Sequence, residues 1–211
     1  MIVGFVGTIG SGKNAAADIL VKKYNYNKES FANSVKDAVS VIFSWDRNML
    51  EGDTPESRVW RENADIWWST ELNREITPRL ALQLMGTEAG RDVFHPDLWI
   101  KSLYRRIDPS KNYVISDVRF PNEIAAIRAN GGKIFRVKRG DEPYWYETAY
   151  KQNTSTAEEQ WVLEDNGELM EQKYPEVHNS EWAWVGQQID ATIENNDTLE
   201  KLEEAIEKYL T

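Results

Sequence analysis

The residues with the clearest chemical capacity lie within the first fourteen positions. Gly7-Thr8-Ile9-Gly10-Ser11-Gly12-Lys13 fits G-x-x-x-x-G-K, the pattern of a phosphate-binding loop. In such a loop successive backbone N–H groups wrap an anionic phosphate, and the following helix aims the positive end of its dipole at the same point. Gly7, Gly10 and Gly12 allow close backbone approach and positive φ where a side chain would clash. Lys13 is a point charge with the reach to meet β- and γ-phosphates. The next position ordinarily carries a Ser or Thr whose hydroxyl ligates Mg²⁺; here it is Asn14. An amide oxygen is still a hard ligand, or the metal is held through water. The departure weakens the expectation of a metal site, not of a phosphate site.

A second constellation is Asp117-Val118-Arg119, directly after the apolar run Tyr113-Val114-Ile115-Ser116. In open α/β sheets ligands bind at the carboxyl ends of the strands. A carboxylate there can hold Mg²⁺ directly or through water, and an arginine can clamp a phosphate with two parallel hydrogen bonds. The plainer alternative is an Asp–Arg ion pair tying the strand end to a helix. Gln83, Gly86, Thr87, Glu88 and Arg91 form a third cluster. Gln83 and Thr87 are four apart and share a face if the helix continues, and Gln suits the edge of a base. Alone, this would more often be an ordinary polar helix end. Lys36 is a candidate phosphate contact, and Arg139, after the strand that carries Arg136 and Lys138, is the candidate for the γ-phosphate. His178 is one of only two histidines and has no cysteine or second histidine nearby to make a metal site. Of nine tryptophans most must pack; Trp99 and the Trp67-Trp68 pair are the candidates for stacking on a base.

These residues need a frame. Ile2 to Val6 reads as a short buried strand, and the first helix is expected from Lys13 to about Tyr24. Glu29-Ser30-Phe31-Ala32 is a candidate second strand, and Val35, Ala38, Val39 and Ile42 have helical spacing within Ser34 to Phe43. Trp45 to Thr77 is polar and Trp-rich, and loops with short helices are expected there. Thr77-Pro78 reads as a helix start ending at Gly86-Thr87, and Pro96 opens another helix. Tyr113–Ser116 and Lys133–Val137 read as strands, separated by a helix from Pro121 to Ala129 that Gly131-Gly132 ends. Gly140 to Trp184 is poor in aliphatics and looks like a lid or excursion beyond the sheet. Asp190 to Glu194 is a candidate last strand, and Asp197-Thr198-Leu199-Glu200 a capping box for a final helix, Leu199 to Leu210. Strands alternating with helices predict one α/β domain with a parallel sheet covered on both faces.

Bulk properties narrow the partners. A formal charge of −10 without a dense Lys/Arg run argues against polymeric nucleic acid, which is bound mainly by phosphate neutralisation. With no cysteine there is neither a disulfide framework nor thiol catalysis. No apolar run approaches the ~20 residues that span a membrane, and no basic segment with a cleavage site precedes the first strand. A cytoplasmic location is the default expectation.

With these pieces placed, the sequence resembles the phage-type deoxynucleoside monophosphate kinases, a branch of the P-loop nucleoside monophosphate kinases. The matching stretches are GTIGSGKN, FANSVKDA, LQLMGTEAGR followed by DLWIK, SDVRFPNE, FRVKRG, HNSEW and IENNDTLEKLEE, in the same order as in that family. The resemblance implies a five-stranded parallel sheet in one P-loop kinase domain over 1–211, with a monophosphate-binding region at 33–105 and a lid-like excursion at 140–186. It implies transfer of the γ-phosphoryl group of ATP, with Mg²⁺, to a deoxynucleoside 5′-monophosphate; if the chain is phage-encoded, the expected cytoplasm is the host's. By the same resemblance Gly7 to Asn14 hold ATP, and Asp117 and Arg119 face the acceptor phosphate and the metal. Lys36, Gln83, Thr87 and Arg91 line the monophosphate site, to which the residues themselves add Gly86 for close backbone approach and Trp99 for stacking, and His178 and Glu181 close over it. Kinases of this sort are often dimers, so a homodimer is among the expectations.

Phosphoryl transfer asks for alignment and charge stabilisation, so no enzyme nucleophile is expected. Three rivals share parts of the pattern. One is another small-molecule P-loop kinase, of the dephospho-coenzyme A or adenylate kinase type. The second is a nucleotide-binding switch or assembly ATPase, and the third a non-catalytic module in which Asn14 marks a decayed metal site.

Overall fold

The computed structural model describes residues 1–209, and Leu210, the expected end of the last helix, lies outside them. Five strands form one sheet: β1 (Ile2–Val6), β2 (Asn27–Glu29), β3 (Tyr113–Ile115), β4 (Lys133–Lys138) and β5 (Ala191–Glu194). Their order is β2-β3-β1-β4-β5, and every pairing is parallel. A parallel sheet must be covered on both faces, and β1 shows it, with all five residues buried. Val3 and Phe5 point into a core with Ala16, Ala17 and Leu20 of α1 (Lys13–Tyr24) and with Leu202 and Ile206 near the carboxyl terminus. On the other face Gly4 is closely covered: a Cβ there would stand 2.8 Å from Ile127 and from Ile134.

The chain divides into two compact units, Met1–Ser30 with Asp108–Thr211, and Phe31–Ile107. The first unit holds the whole sheet. The second is helical: α2 (Asn33–Phe43), α3 (Pro55–Glu62), α4 (Ile66–Glu71), α5 (Pro78–Leu84), a π-helical stretch Met85–Phe94 and α6 (Leu98–Arg106). Thr77 caps α5 as expected, accepting from Leu80 N–H at 3.1 Å. The backbone does not stop at Gly86-Thr87, however, but continues with π-helical bonding to Phe94. Phe43, Trp45, Trp60 and Trp68 make an aromatic cluster in this unit, Phe43 and Trp45 stacking with centroids 4.4 Å apart.

The first unit continues with α7 (Pro121–Ala129), then the segment after β4 folds as α8 (Tyr146–Thr154), α9 (Ala157–Asp165), α10 (Met170–Lys173) and α11 (Asn179–Trp182). The segment expected to lack a core face nevertheless buries side chains, among them Trp145, Leu163, Met170, Trp182, Trp184 and Val185. Tryptophan and methionine do there what aliphatic side chains do elsewhere. The last helix, α12 (Leu199–Glu207), starts at Thr198 without the expected capping box, for the Thr198 side chain caps no backbone N–H. The second strand also differs from expectation. It is Asn27–Glu29, a polar edge strand, and Phe31 is a buried residue that begins the other unit.

Candidate active site

In the first unit the β1–α1 turn takes the shape that its glycines allow. Gly7, Gly10 and Gly12 have φ of 144°, 79° and 103°. At Gly7 a Cβ would also lie 2.4 Å from the Val137 carbonyl oxygen of β4, so neither the conformation nor the space admits a side chain. Gly12 is the N-cap of α1, which has no side-chain cap and no acidic residue in its first turn. The N–H groups there keep their affinity for an anion instead of spending it on a carboxylate of their own. Ser11 is 1% exposed, and its hydroxyl has no hydrogen-bond partner among the described residues. A buried hydroxyl without a partner is costly unless a ligand supplies one. Open space at Gly10, the uncapped helix start and the Ser11 hydroxyl fit a bound polyphosphate.

Lys13 folds back over the loop, its ammonium donating to Gly7 O at 2.7 Å and Thr8 O at 2.8 Å. Burial, and after it the positive charge of Arg119, pull its pKa down to about 8, against opposing help from Glu181 and Asp117. One lysine therefore feels the charges of three other residues that the sequence placed in the site.

Asp117 follows β3 by two residues and accepts from the Ser30 hydroxyl at 2.6 Å. Arg119 donates to Glu181 at 2.5 Å and to the Ser180 hydroxyl at 3.2 Å. The His178 ring caps α11, with Nδ1 3.2 Å from Ser180 N and 2.9 Å from its hydroxyl. The turn carrying Arg119 is held by Glu123, a carboxylate only 1% exposed that accepts from Arg119 N–H at 2.7 Å and Phe120 N–H at 3.0 Å. Glu123 was not singled out from the sequence. Its signal was there, a glutamate three residues after the position preceding Pro121, where it can reach back to the helix start.

Arg139 is exposed just beyond β4. The arginine engaged with the following helices is Arg136, which donates to Tyr146 Oη at 2.9 Å and to Glu142 and lies 4.7 Å from the Tyr146 ring centre. Asn14 is exposed at the start of α1. Asn14 and Asp117 bring oxygen ligands of the kind Mg²⁺ takes, although no group of three or more His, Cys, Asp or Glu among the described residues could hold a metal by itself.

In the second unit Lys36 is paired with Glu51, which also accepts from Arg47. Burial works to raise the Glu51 pKa, but these two cations outweigh it and hold the carboxyl below its ordinary range. Gln83 is exposed on α5, and Thr87 and Arg91 lie in the π-helical stretch, where Arg91 donates to Pro96 O at 3.3 Å. Trp99 is 8% exposed and donates from Nε1 to Gly86 O at 2.7 Å. The glycine that its ring requires is Gly90, where a Cβ would come within 2.4 Å of the indole. At Gly86 a Cβ would make only ordinary contact with Val35. Trp68 is tied into the aromatic cluster through Phe43 O at 3.0 Å, while Trp67 is exposed.

No family model matches the chain. A protein of Acanthamoeba polyphaga mimivirus assigned as a deoxynucleotide monophosphate kinase is 30% identical, over 66% of this chain and 74% of its own length. The deoxynucleoside-5′-monophosphate kinase of Escherichia phage T5 is 29% identical, over 61% of this chain and 72% of its own. Among solved structures, shikimate kinase from Aquifex aeolicus aligns over 100% of this chain and 96% of its own, at 12% identity and a TM-score of 0.42. No helix among the described residues is long and apolar enough to cross a membrane.

Proposed function

The chain belongs to the phage and viral deoxynucleoside monophosphate kinase family, a group of small-molecule P-loop phosphotransferases, and on that premise we propose that it transfers the γ-phosphoryl group of ATP to a deoxynucleoside 5′-monophosphate, giving the diphosphate and ADP. One observation carries the reading. The glycine loop offers an uncapped helix start and a buried Ser11 hydroxyl that has no partner among the described residues, and its Lys13 feels the charges of Asp117, Arg119 and Glu181, the last two joined by a hydrogen bond.

In this reading the loop from Gly7 to Asn14 holds the triphosphate by backbone N–H groups, and the Ser11 hydroxyl gains the partner it lacks. Lys13 exchanges the carbonyls of Gly7 and Thr8 for phosphate oxygens, leaving a neutral partner for a charged one. Arg119 clamps the acceptor phosphate, and Glu123 keeps its backbone in place. Asn14 and Asp117 would hold Mg²⁺, which when bound offsets charge on the transferred group. Arg139 meets the γ-phosphate. His178 and Glu181 sit where closure would exclude water, favouring the acceptor over hydrolysis. Lys36, Gln83, Gly86, Thr87, Arg91 and Trp99 are assigned to the acceptor nucleotide, Trp99 by holding the Gly86–Gly90 backbone.

A coupled ADP-release assay against deoxynucleoside monophosphates, ribonucleoside monophosphates and dephospho-coenzyme A tests this. Release stimulated only by deoxynucleotides is the expected result. Release driven by dephospho-coenzyme A, or by no acceptor at all, would overturn it.

A further inference from the structure

We propose that Asn195 is a positioning residue of the phosphate-binding loop, fixing the Ser11–Gly12 peptide for the phosphates of the donor nucleotide; this rests on the reading of that loop as the ATP site. Asn195 directly follows β5, and its backbone N–H donates to Lys138 O at 2.8 Å. The asparagine is therefore pinned to the end of β4 by the same kind of bonding that builds the sheet. From that anchorage its side-chain Nδ2 donates to Ser11 O at 2.8 Å, across 184 positions of sequence. The same amide lies hard against Gly12, where a Cβ would stand 2.1 Å from Nδ2.

The consequence follows from peptide geometry. In a trans peptide the C=O and N–H point in opposite directions. Holding Ser11 O at Asn195 turns the Gly12 N–H away from β5, and Gly12 is the N-cap of the helix whose start fits a phosphate. A loop with three glycines at positive φ has wide backbone freedom. One hydrogen bond to Ser11 O from a residue 184 positions away removes much of that freedom before the nucleotide arrives, and preorganisation of this kind appears as affinity. The next residue acts on the neighbouring turn: Asn196 Oδ1 accepts from Gly140 N–H at 2.7 Å, where the helical segment after β4 begins.

Two substitutions separate positioning from simple packing. Asn195→Ala deletes the donor. Asn195→Asp keeps the shape but sets a carboxylate oxygen against Ser11 O. ATP affinity is measured by calorimetry, alongside KM for ATP and for the monophosphate, kcat, and the thermal midpoint of each ligand-free protein. The expected result is a rise of about tenfold or more in Kd and KM for ATP with Asn195→Ala, and a larger one with Asn195→Asp, because the carboxylate repels both the carbonyl and the incoming phosphates. KM for the monophosphate should stay within about twofold. Wild-type affinity for ATP in both folded variants, or an equal loss towards both substrates, overturns the inference while leaving the loop as the ATP site. If the wild-type protein itself binds no ATP, both readings fall together. Should the aspartate variant not fold, the alanine variant decides alone.

Discussion

Arg119 and Glu181, 62 positions apart in sequence, meet in a hydrogen bond of 2.5 Å, joining the turn after β3 to helix α11. The arginine is 41% exposed along its side chain and the glutamate 22%, so the pair lies where an anion could reach it. Both also act on Lys13, the arginine lowering its pKa and the glutamate raising it. The pair thus links a residue assigned to the acceptor phosphate with the charge state of one assigned to the donor.

Glu181→Gln should move the alkaline limb of the kcat/KM profile for ATP to lower pH. In the wild-type protein Lys13 loses its proton through about pH 8, so kcat/KM should fall as pH rises past that value. Without the Glu181 charge the ammonium form loses support, and the fall begins earlier. A profile unmoved by the substitution would separate Glu181 from Lys13. For folding the sign runs the other way. A lysine whose folded pKa is depressed burdens the native state while it is protonated, and that burden lifts as pH rises from about 8 toward the unfolded value of 10.5.

Arg119→Ala should raise KM for the monophosphate by about tenfold or more, equivalent to about 1.4 kcal/mol, with KM for ATP within about twofold. Steady-state kinetics with each substrate varied in turn is the measurement. Equal effects on both would contradict a role at the acceptor phosphate.

Lys13→Ala should reduce kcat by at least about 10²–10³, the scale for losing one preorganised charge-stabilising group. The thermal midpoint should hold steady, because the residue removed is a partly buried cation with a depressed pKa. Normal turnover by this variant would contradict the assignment of the loop.

Gly7→Ala should destabilise the fold itself. The new methyl meets the Val137 carbonyl at 2.4 Å on a backbone at φ 144°. Strain of this kind costs about 1–3 kcal/mol, and each kcal/mol lowers Tm by about 2–4 °C in a chain of this length. An unchanged melting curve would mean that the turn can relax away from β4.

Asn14→Thr should preserve turnover or raise it, because it restores the hydroxyl that usually faces Mg²⁺ at this position. Activity titrated against Mg²⁺ reads it out. A loss would show that the amide makes a contact the hydroxyl cannot.

Much of this was legible in the sequence where one short stretch carried its whole meaning. The loop, α1 and β1 could be read because an apolar run, three glycines and a set of helix formers occur in the one order that makes a phosphate cradle. β2 was displaced by two residues because an edge strand with two exposed positions has no hydrophobic period to read. The π-helical stretch was invisible, since Gln83, Thr87 and Arg91 are spaced as in an α-helix and nothing local reports the change of hydrogen bonding. The burial within the segment after β4 was hidden by its chemistry, tryptophans and methionine standing where aliphatics would have given a pattern. Asn195 was beyond reach for another reason. It is one polar residue after an edge strand, and only folding brings it to Ser11.

The helical unit Phe31–Ile107 leaves the sheet just after β2 and returns just before β3, two strands paired in register from Asn27 with Tyr113 to Glu29 with Ile115. Its two ends are therefore gathered by hydrogen bonds of the sheet, whatever length of chain runs from one to the other. Lengthening an exposed connection between its helices adds only a loop-closure entropy that grows with the logarithm of the length. Sequence change within those seventy-odd residues can accordingly leave the pairing of β2 with β3 as it is.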